Sequence, residues 1–319
     1  MARFLAAMFF ALFACAQLRA ENLVYIFDGP TNNNHLAILK GANDALKDFN
    51  LRYGKTFKAV DFSLANKTSA PQDEILKSAA QGGENIGAVV IPAEGDTAKL
   101  EAQIILLAAK KFPTVIIENE LKQDGALQTL SSESESLIKG VSAELEGKKN
   151  RVKFQIFAVI HGGEEGYLEE QKALDSLRGA RRKIAESLLD VAPVKFVSSE
   201  HFSKFQEKHR AELLALDNYA IVFLSELPLN DLTPLMDDGD RLAMLSFGGS
   251  PYMAQYLKSK QASLVAMPDY YGFGYLSAVA LVEKYMQNKT PSARHRKLAP
   301  SFFTPLNLDE FNKLWLNLN

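Results

Sequence analysis

The sequence predicts an α/β protein built from two doubly wound units. Three observations carry that expectation. Short apolar runs alternate with amphipathic stretches of helical period. The alternation fills two successive blocks of a 319-residue chain. Apolar residues make up 47% of the sequence and cysteine occurs once, so a packed core and no disulfide framework holds the fold. Strands and helices alternating at this spacing form parallel βαβ units.

In the first block, residues 23–27 (LVYIF) read as a buried strand and 29–34 (GPTNNN) as a loop. A helix over 35–49 places Leu36, Leu39, Ala42 and Leu46 on one face. Strands follow at 57–62, 86–91 and 114–118, with helices at 70–80 and 96–110 between them. Pro71 suits the first helical position of its helix. In the second block the pattern predicts helices at 136–145 and 168–188. Strands are expected at 152–160, 194–197, 220–224, 242–247 and 264–267, and a final helix at 274–287. In the tail, Asp309 is placed to cap a short helix with Phe311, Leu314 and Trp315 on its apolar side.

Residues 1–20 read as a secretory signal. Arg3 opens it, the apolar run 4–14 follows, and small residues close it. The run has eleven residues, whereas a spanning helix needs about 20. Cleavage fits after Ala16 or after Ala20. The stretch Leu12-Phe13-Ala14-Cys15 also looks like a lipobox, in which Cys15 would be kept and acylated. Either route places the mature chain in the periplasm, free or lipid-anchored.

A formal net charge of -2 gives no electrostatic case for nucleic acid. The basic cluster Arg294-His295-Arg296-Lys297 reads as a solvated loop. Neither a dinucleotide fingerprint nor a phosphate-binding P-loop is present, so no cofactor is expected. No Gly-x-Ser-x-Gly elbow occurs, and the five histidines lack metal-ligand spacing. The chain therefore reads as a non-enzyme without a metal.

Doubly wound sheets bind ligands outside the carboxyl ends of their strands. That marks the loops at 28–35, 92–96, 118–121, 161–166, 225–227, 248–252 and 268–271. Of Tyr270 and Tyr271, one ring is expected in the core and the other beside a ligand.

Four stretches carry a resemblance. They are VYIFDGPTNNNHLAILKGANDAL (24–46), ILKSAAQGGENIGAVVIPAEGDT (75–97), FPTVIIENEL (112–121), and RLAMLSFGGSP with SLVAMPDYYGFGYLSAVALVEKYMQNKTP near the end. In order and spacing the chain resembles the type 1 periplasmic binding proteins, the ribose-binding and LacI-like superfamily. The resemblance implies two Rossmann-like lobes joined by crossing hinge strands, with a ligand cleft between them. It implies an N-terminal lobe of 21–121 plus 268–290, a C-terminal lobe of 122–267 plus 291–305, and a tail of 306–319. Matched position by position, it puts Asn32, Asn34, His35, Glu94, Glu118 and Asn119 in the ligand site, with Asp96 close by. The loop positions add His161, Glu226, Ser250, Asp269 and Tyr270.

The chain departs from the family at its sugar grips. Aromatic positions of the first loop become Asn34 and His35, the expected arginine is missing near Leu174 and Ser176, an aspartate becomes Gly248 and a glutamine becomes Ala266. Each unsatisfied buried hydroxyl costs about 1–3 kcal/mol. The expected ligand is therefore a small molecule other than a typical pentose or hexose. The expected partner is a membrane permease of an ABC importer, or alternatively a sensor histidine kinase or chemoreceptor, and the expected state is a monomer.

Overall fold

In a computed structural model, the described residues are 20–29, 31–62, 71–93, 97–118, 125–149, 154–160, 166–177, 179–198, 207, 210–216, 218–224, 242–247, 253–260 and 262–315. The expected signal segment lies outside them, apart from Ala20. So do the expected site residues Glu94, Asp96, Asn119, His161, Glu226 and Ser250. The chain divides into two units, Met1–Ser131 with Tyr270–Lys297, and Ser132–Asp269 with Leu298–Asn319.

In the first unit, β1 (Glu21–Ile26), β2 (Phe57–Asp61), β3 (Asn85–Val90), β4 (Thr114–Ile117) and β5 (Gln128–Ser132) run parallel. With β12 (His295–Leu298) the order is β12-β5-β4-β3-β1-β2. Leu23, Val24, Tyr25 and Ile26 are fully buried, as expected of a central strand covered on both faces. The helices are α1 (Asn33–Tyr53), α2 (Gln72–Gln81), α3 (Ala98–Ala109) and, returning much later in the chain, α9 (Tyr270–Gln287).

The α1–α9 seam is closer than the apolar pattern predicts. A methyl group on Gly41 would stand 2.1 Å from the Tyr271 carbonyl oxygen, and one on Gly274 would stand 1.8 Å from that of Ile38. Glycine is what permits this approach. The buried face of α1 includes Ala37, Ile38, Gly41, Ala42 and Ala45, with the expected Leu46 and also Phe49 further along it. Leu36, expected on that face, is 37% exposed, and Leu39 is only partly buried. Of the four expected residues Ala42 and Leu46 are buried, and at the close approach to α9 the helix presents small residues.

The second unit contains β6 (Phe154–Ile160), β7 (Gly166–Tyr167), β8 (Val194–Ser198), β9 (Asn218–Phe223), β10 (Leu242–Phe247), β11 (Ala262–Met267) and β13 (Ser301–Phe303). Their order is β13-β11-β10-β9-β6-β8-β7, with the two edge strands antiparallel. Its helices are α4 (Ser134–Lys149), α5 (Glu170–Ser176), α6 (Gly179–Val191), α7 (Arg210–Leu214), α8 (Met253–Lys258) and α10 (Leu308–Trp315). Leu137, Leu145, Ile156, Ala158, Ile184 and Leu188 are among the side chains of its core.

Several expectations are corrected. The single helix over 168–188 is two, because Leu177 leaves the helical region at φ -102°, ψ 151°. The basic cluster is not a loop: residues 295–297 begin the edge strand β12, pinned where Thr129 N–H donates to the Arg294 carbonyl at 2.8 Å. Strands β5 and β12 belong to the first sheet, so 125–131 and 294–297 sit with the first unit. Pro71 precedes its helix as N-cap instead of opening it. Asp309 lies inside the first turn of α10 and does not cap it. A 3-10 turn (Pro305–Asn307) precedes α10 and is capped by Thr304. Phe311 packs edge-on against Phe303 at 5.1 Å between ring centres and is fully buried. Among the described residues no helix is long and apolar enough to cross a membrane.

Candidate functional site at the carboxyl edge of the first sheet

Both parallel sheets have the order 2-1-3-4-5 when their strands are counted within each unit. In that order the chain reverses direction beside the first strand, and the crevice outside its carboxyl end is the ligand position of doubly wound sheets. In the first unit this is the gap between the ends of β1 and β3. In the second it is the gap between β6 and β9, whose following loops lie outside the described residues.

The first crevice is built by the chain leaving β1. Phe27 and Asp28 follow the strand, and Asn32 caps α1. The Asn32 side chain accepts from the His35 backbone N–H at 3.0 Å, while His35 Nδ1 accepts from the Asn32 N–H at 3.3 Å. This reciprocal box satisfies two donors that a helix start otherwise leaves open. Since Nδ1 accepts, the ring hydrogen sits on Nε2, which donates to Asp28 Oδ1 at 3.0 Å. The imidazole also stacks on Phe27 at 4.1 Å and 3°. His35 is thus spent on positioning Asp28, which is 43% exposed.

Asn34 differs from its neighbours. It is 4% exposed, and its Oδ1 has no hydrogen-bond partner among the described residues. A buried carboxamide oxygen without a donor costs about 1–3 kcal/mol, and such groups are rare in folded proteins. It stands in the first turn of α1, where helix N–H groups carry partial positive charge.

Gln72 ties the crevice walls together. Its Nε2 donates to the Phe27 carbonyl at 2.9 Å and the Ile91 carbonyl at 2.8 Å, and its Oε1 accepts from the Ala93 N–H at 2.8 Å. One side chain from the start of α2 therefore fixes both strand-end loops. Thr31 donates to Asp61 at the end of β2 at 2.5 Å, fixing the far side of the same loop. At the end of β4, Glu118 holds φ 63°, a left-handed conformation that costs a non-glycine residue about 1–2 kcal/mol. Its N–H prolongs the β4–β5 ladder by donating to the Leu130 carbonyl at 2.8 Å.

Of the expected site residues, Asn32 and His35 are bonded to each other and His35 to Asp28, and Asn34 stands between them in sequence in the first turn of α1. Tyr270 was read as a loop residue but lies in the first turn of α9, 7% exposed and edge-on to Phe273 at 6.1 Å. Asp269 directly follows β11 and belongs to the second unit. Sequence reading missed Asp28 and Gln72 as site builders. Asp28 was detectable as the first polar residue after β1, whereas a glutamine beginning a surface helix carries no signal. Among the described residues no group of three metal-ligating side chains occurs.

The fold has close counterparts among solved structures. A galactofuranose-binding protein superimposes with a TM-score of 0.69 at 12% identity, covering 93% of this chain and 99% of that one. A carbohydrate-transporter solute-binding protein from Agrobacterium radiobacter, in complex with D-arabinose, gives 0.67 at 14%, covering 94% and 99%. The fold is that of the type 1 periplasmic binding proteins. A XylFII–LytSN complex mutant contains another chain of this fold, at 0.54 and 14% identity over 91% of this chain and 99% of that one. No family model and no curated protein matches the sequence. At such identities the likeness to type 1 periplasmic binding proteins establishes the fold.

Proposed function

We propose that this chain is an exported solute-binding protein that captures a small molecule at the carboxyl edge of its sheets and delivers it to an ABC importer. The observation that carries this reading is Asn34: a buried amide oxygen without a partner, beside the crevice where doubly wound folds bind ligands. A ligand hydroxyl or amine would supply the missing donor. The exposed carboxylate of Asp28 would take a second donor from the same ligand. Residues 1–20 would direct export, with Cys15 the acylated residue if the lipobox is used. The chain acts by binding, not by catalysis.

The neighbours named above bind galactofuranose and D-arabinose. Here Ala266, matched to a sugar-gripping glutamine, and Leu174, one of the two positions near which the missing arginine was expected beside Ser176, are apolar and buried. That supports a ligand with fewer hydroxyls than a typical pentose or hexose. The XylFII–LytSN complex supports a second reading, in which the membrane partner is a sensor instead of a permease.

A thermal-shift screen of sugars, amino acids, polyamines and nucleosides tests the binding role. A ligand at 100 times its Kd adds about 2.7 kcal/mol of stability. The shift should disappear in Asn34→Leu, which keeps the volume and removes the amide. A screen without any shift would refute solute capture. Co-purification with a permease or with a sensor kinase then separates the two partners.

A further inference from the structure

The first unit has a second concavity at the opposite, amino edge of its sheet. It is a cavity of about 740 Å³ lined by the starts of β3 to β5 and the ends of α3 and α9. That is within the roughly 300–1,000 Å³ of small-molecule pockets. Ile86, Pro113 and Leu127 give it an apolar floor. Its charged lining is Lys111, Lys284 and Arg294, and among the described residues no carboxylate lines it.

The positions of these cations are fixed by the fold. Lys111 follows α3 in a left-handed conformation, φ 63°. Lys284 occupies the last turn of α9 and donates to the neutral Asn288 side chain at 2.8 Å. Arg294 is held by its carbonyl against Thr129, and the adjacent Ala293 carbonyl accepts from Gln128 Nε2 at 2.8 Å. No carboxylate among the described residues pairs with Lys111 or Lys284. Two acids of the same unit are engaged with other partners: Glu21 holds Lys55 at 2.8 Å and Tyr285 at 2.9 Å, and Glu283 holds Lys289 at 2.7 Å.

Cations at helix ends serve first to offset the macrodipole. Two helix C-termini carry about -0.5 charge each. Lys111 and Lys284 together exceed that sum by about one, so the described lining keeps a net positive charge. Neutral donors on the lining, such as Thr290, add hydrogen-bonding capacity.

We propose that this cavity binds a small organic or inorganic oligoanion carrying two or more phosphate or carboxylate groups. The site is separate from the carboxyl-edge crevice and does not depend on its function.

The test is calorimetric titration of the full chain with citrate and with pyrophosphate, at ionic strength matched by sodium chloride. Saturable binding by at least one anion is expected, weakening as salt rises. K111Q/K284Q/R294Q should lose at least tenfold in affinity, while Asn34→Leu should bind the anion as the parent does. K111Q alone, at an exposed position, should show a smaller loss and keeps the test valid if the triple variant does not fold. Absence of binding to both anions overturns the proposal, as does undiminished binding by the substituted chains. Binding to phosphatidylglycerol vesicles without binding to either soluble anion also overturns it, assigning the charge to a lipid surface.

Discussion

The Tyr25 hydroxyl donates to Ser277 Oγ at 3.1 Å, joining residues 252 positions apart inside the core of the first unit. The direction follows from the second bond of the pair, because the only hydrogen of Ser277 goes to the Gly274 carbonyl at 2.9 Å. Burial also drives the Tyr25 hydroxyl pKa far upward, against the smaller opposing effect of Ser277, so it stays a donor. The pair predicts an asymmetry between two conservative substitutions. Ser277→Ala strands a buried donor and should cost about 1–3 kcal/mol, whereas Tyr25→Phe leaves Ser277 satisfied and should cost about 0.5–1.5 kcal/mol. Urea denaturation of both variants measures the order, and a reversed order would refute the assigned direction.

The glycine seam gives a sharper effect. Gly274→Ala places a methyl 1.8 Å from the Ile38 carbonyl oxygen, so α1 and α9 must separate. Overpacking of this kind costs about 1–3 kcal/mol or more. Gly29→Ala meets nothing within 4 Å and serves as control. The first variant should melt several degrees below the parent and the second within a degree of it.

Gln72 predicts a coupling between loop geometry and binding. Gln72→Glu preserves shape but cannot donate to the Phe27 and Ile91 carbonyls. It should therefore reduce ligand-induced stabilisation as much as Gln72→Ala does. Retention of the full thermal shift by the glutamate variant would separate the two loops from the binding site.

Asp44 predicts a pH dependence. It accepts from Lys47 at 2.9 Å, Lys40 at 3.2 Å and Tyr271 at 3.3 Å. The Lys47 hydrogen bond foremost, with Lys40 adding to it, holds its carboxyl below the usual carboxylate range, against a smaller upward effect of burial. A folded-state value below the unfolded value of about 3.9 means that the stabilisation is present above about pH 4 and fades as pH falls through the lower value. Asp44→Asn should be less stable than the parent by under about 1 kcal/mol at pH 7. The gap should narrow as pH falls below about 4, as the parent carboxyl takes up its proton. Thermal melts from pH 2 to 7 read this directly, and a gap independent of pH would place the loss in packing.

Most parallel strands and most helices were legible because buried strands are continuous apolar runs, as in LVYIF and IGAVVI, whereas β5, QTLSS, has no such run. Of the edge strands β2 was legible, and β7, β12 and β13 were not. His295–Leu298 carries Arg and Lys on an exposed sheet edge, where charge discourages pairing with other chains, so its composition imitates a loop. The seam of α1 was misread through Leu36 because apolar periodicity weights large residues, whereas Gly41 and Gly274 set the spacing. At the site, Asn32 and His35 stood out by type and position. Their mutual capping, the spending of His35 on Asp28, and the span of Gln72 depend on three-dimensional neighbours that no local pattern encodes.

The bond from Tyr25 to Ser277 also sets a clock. Translation at about 5–20 residues per second separates synthesis of the two residues by roughly 10–50 s. Throughout that interval the face of β1 and α1 that α9 later covers has no partner from its own chain. The first unit cannot close while the nascent protein is short. An N-terminal half held open in this way commits to its native form only after the last helix of the unit has emerged.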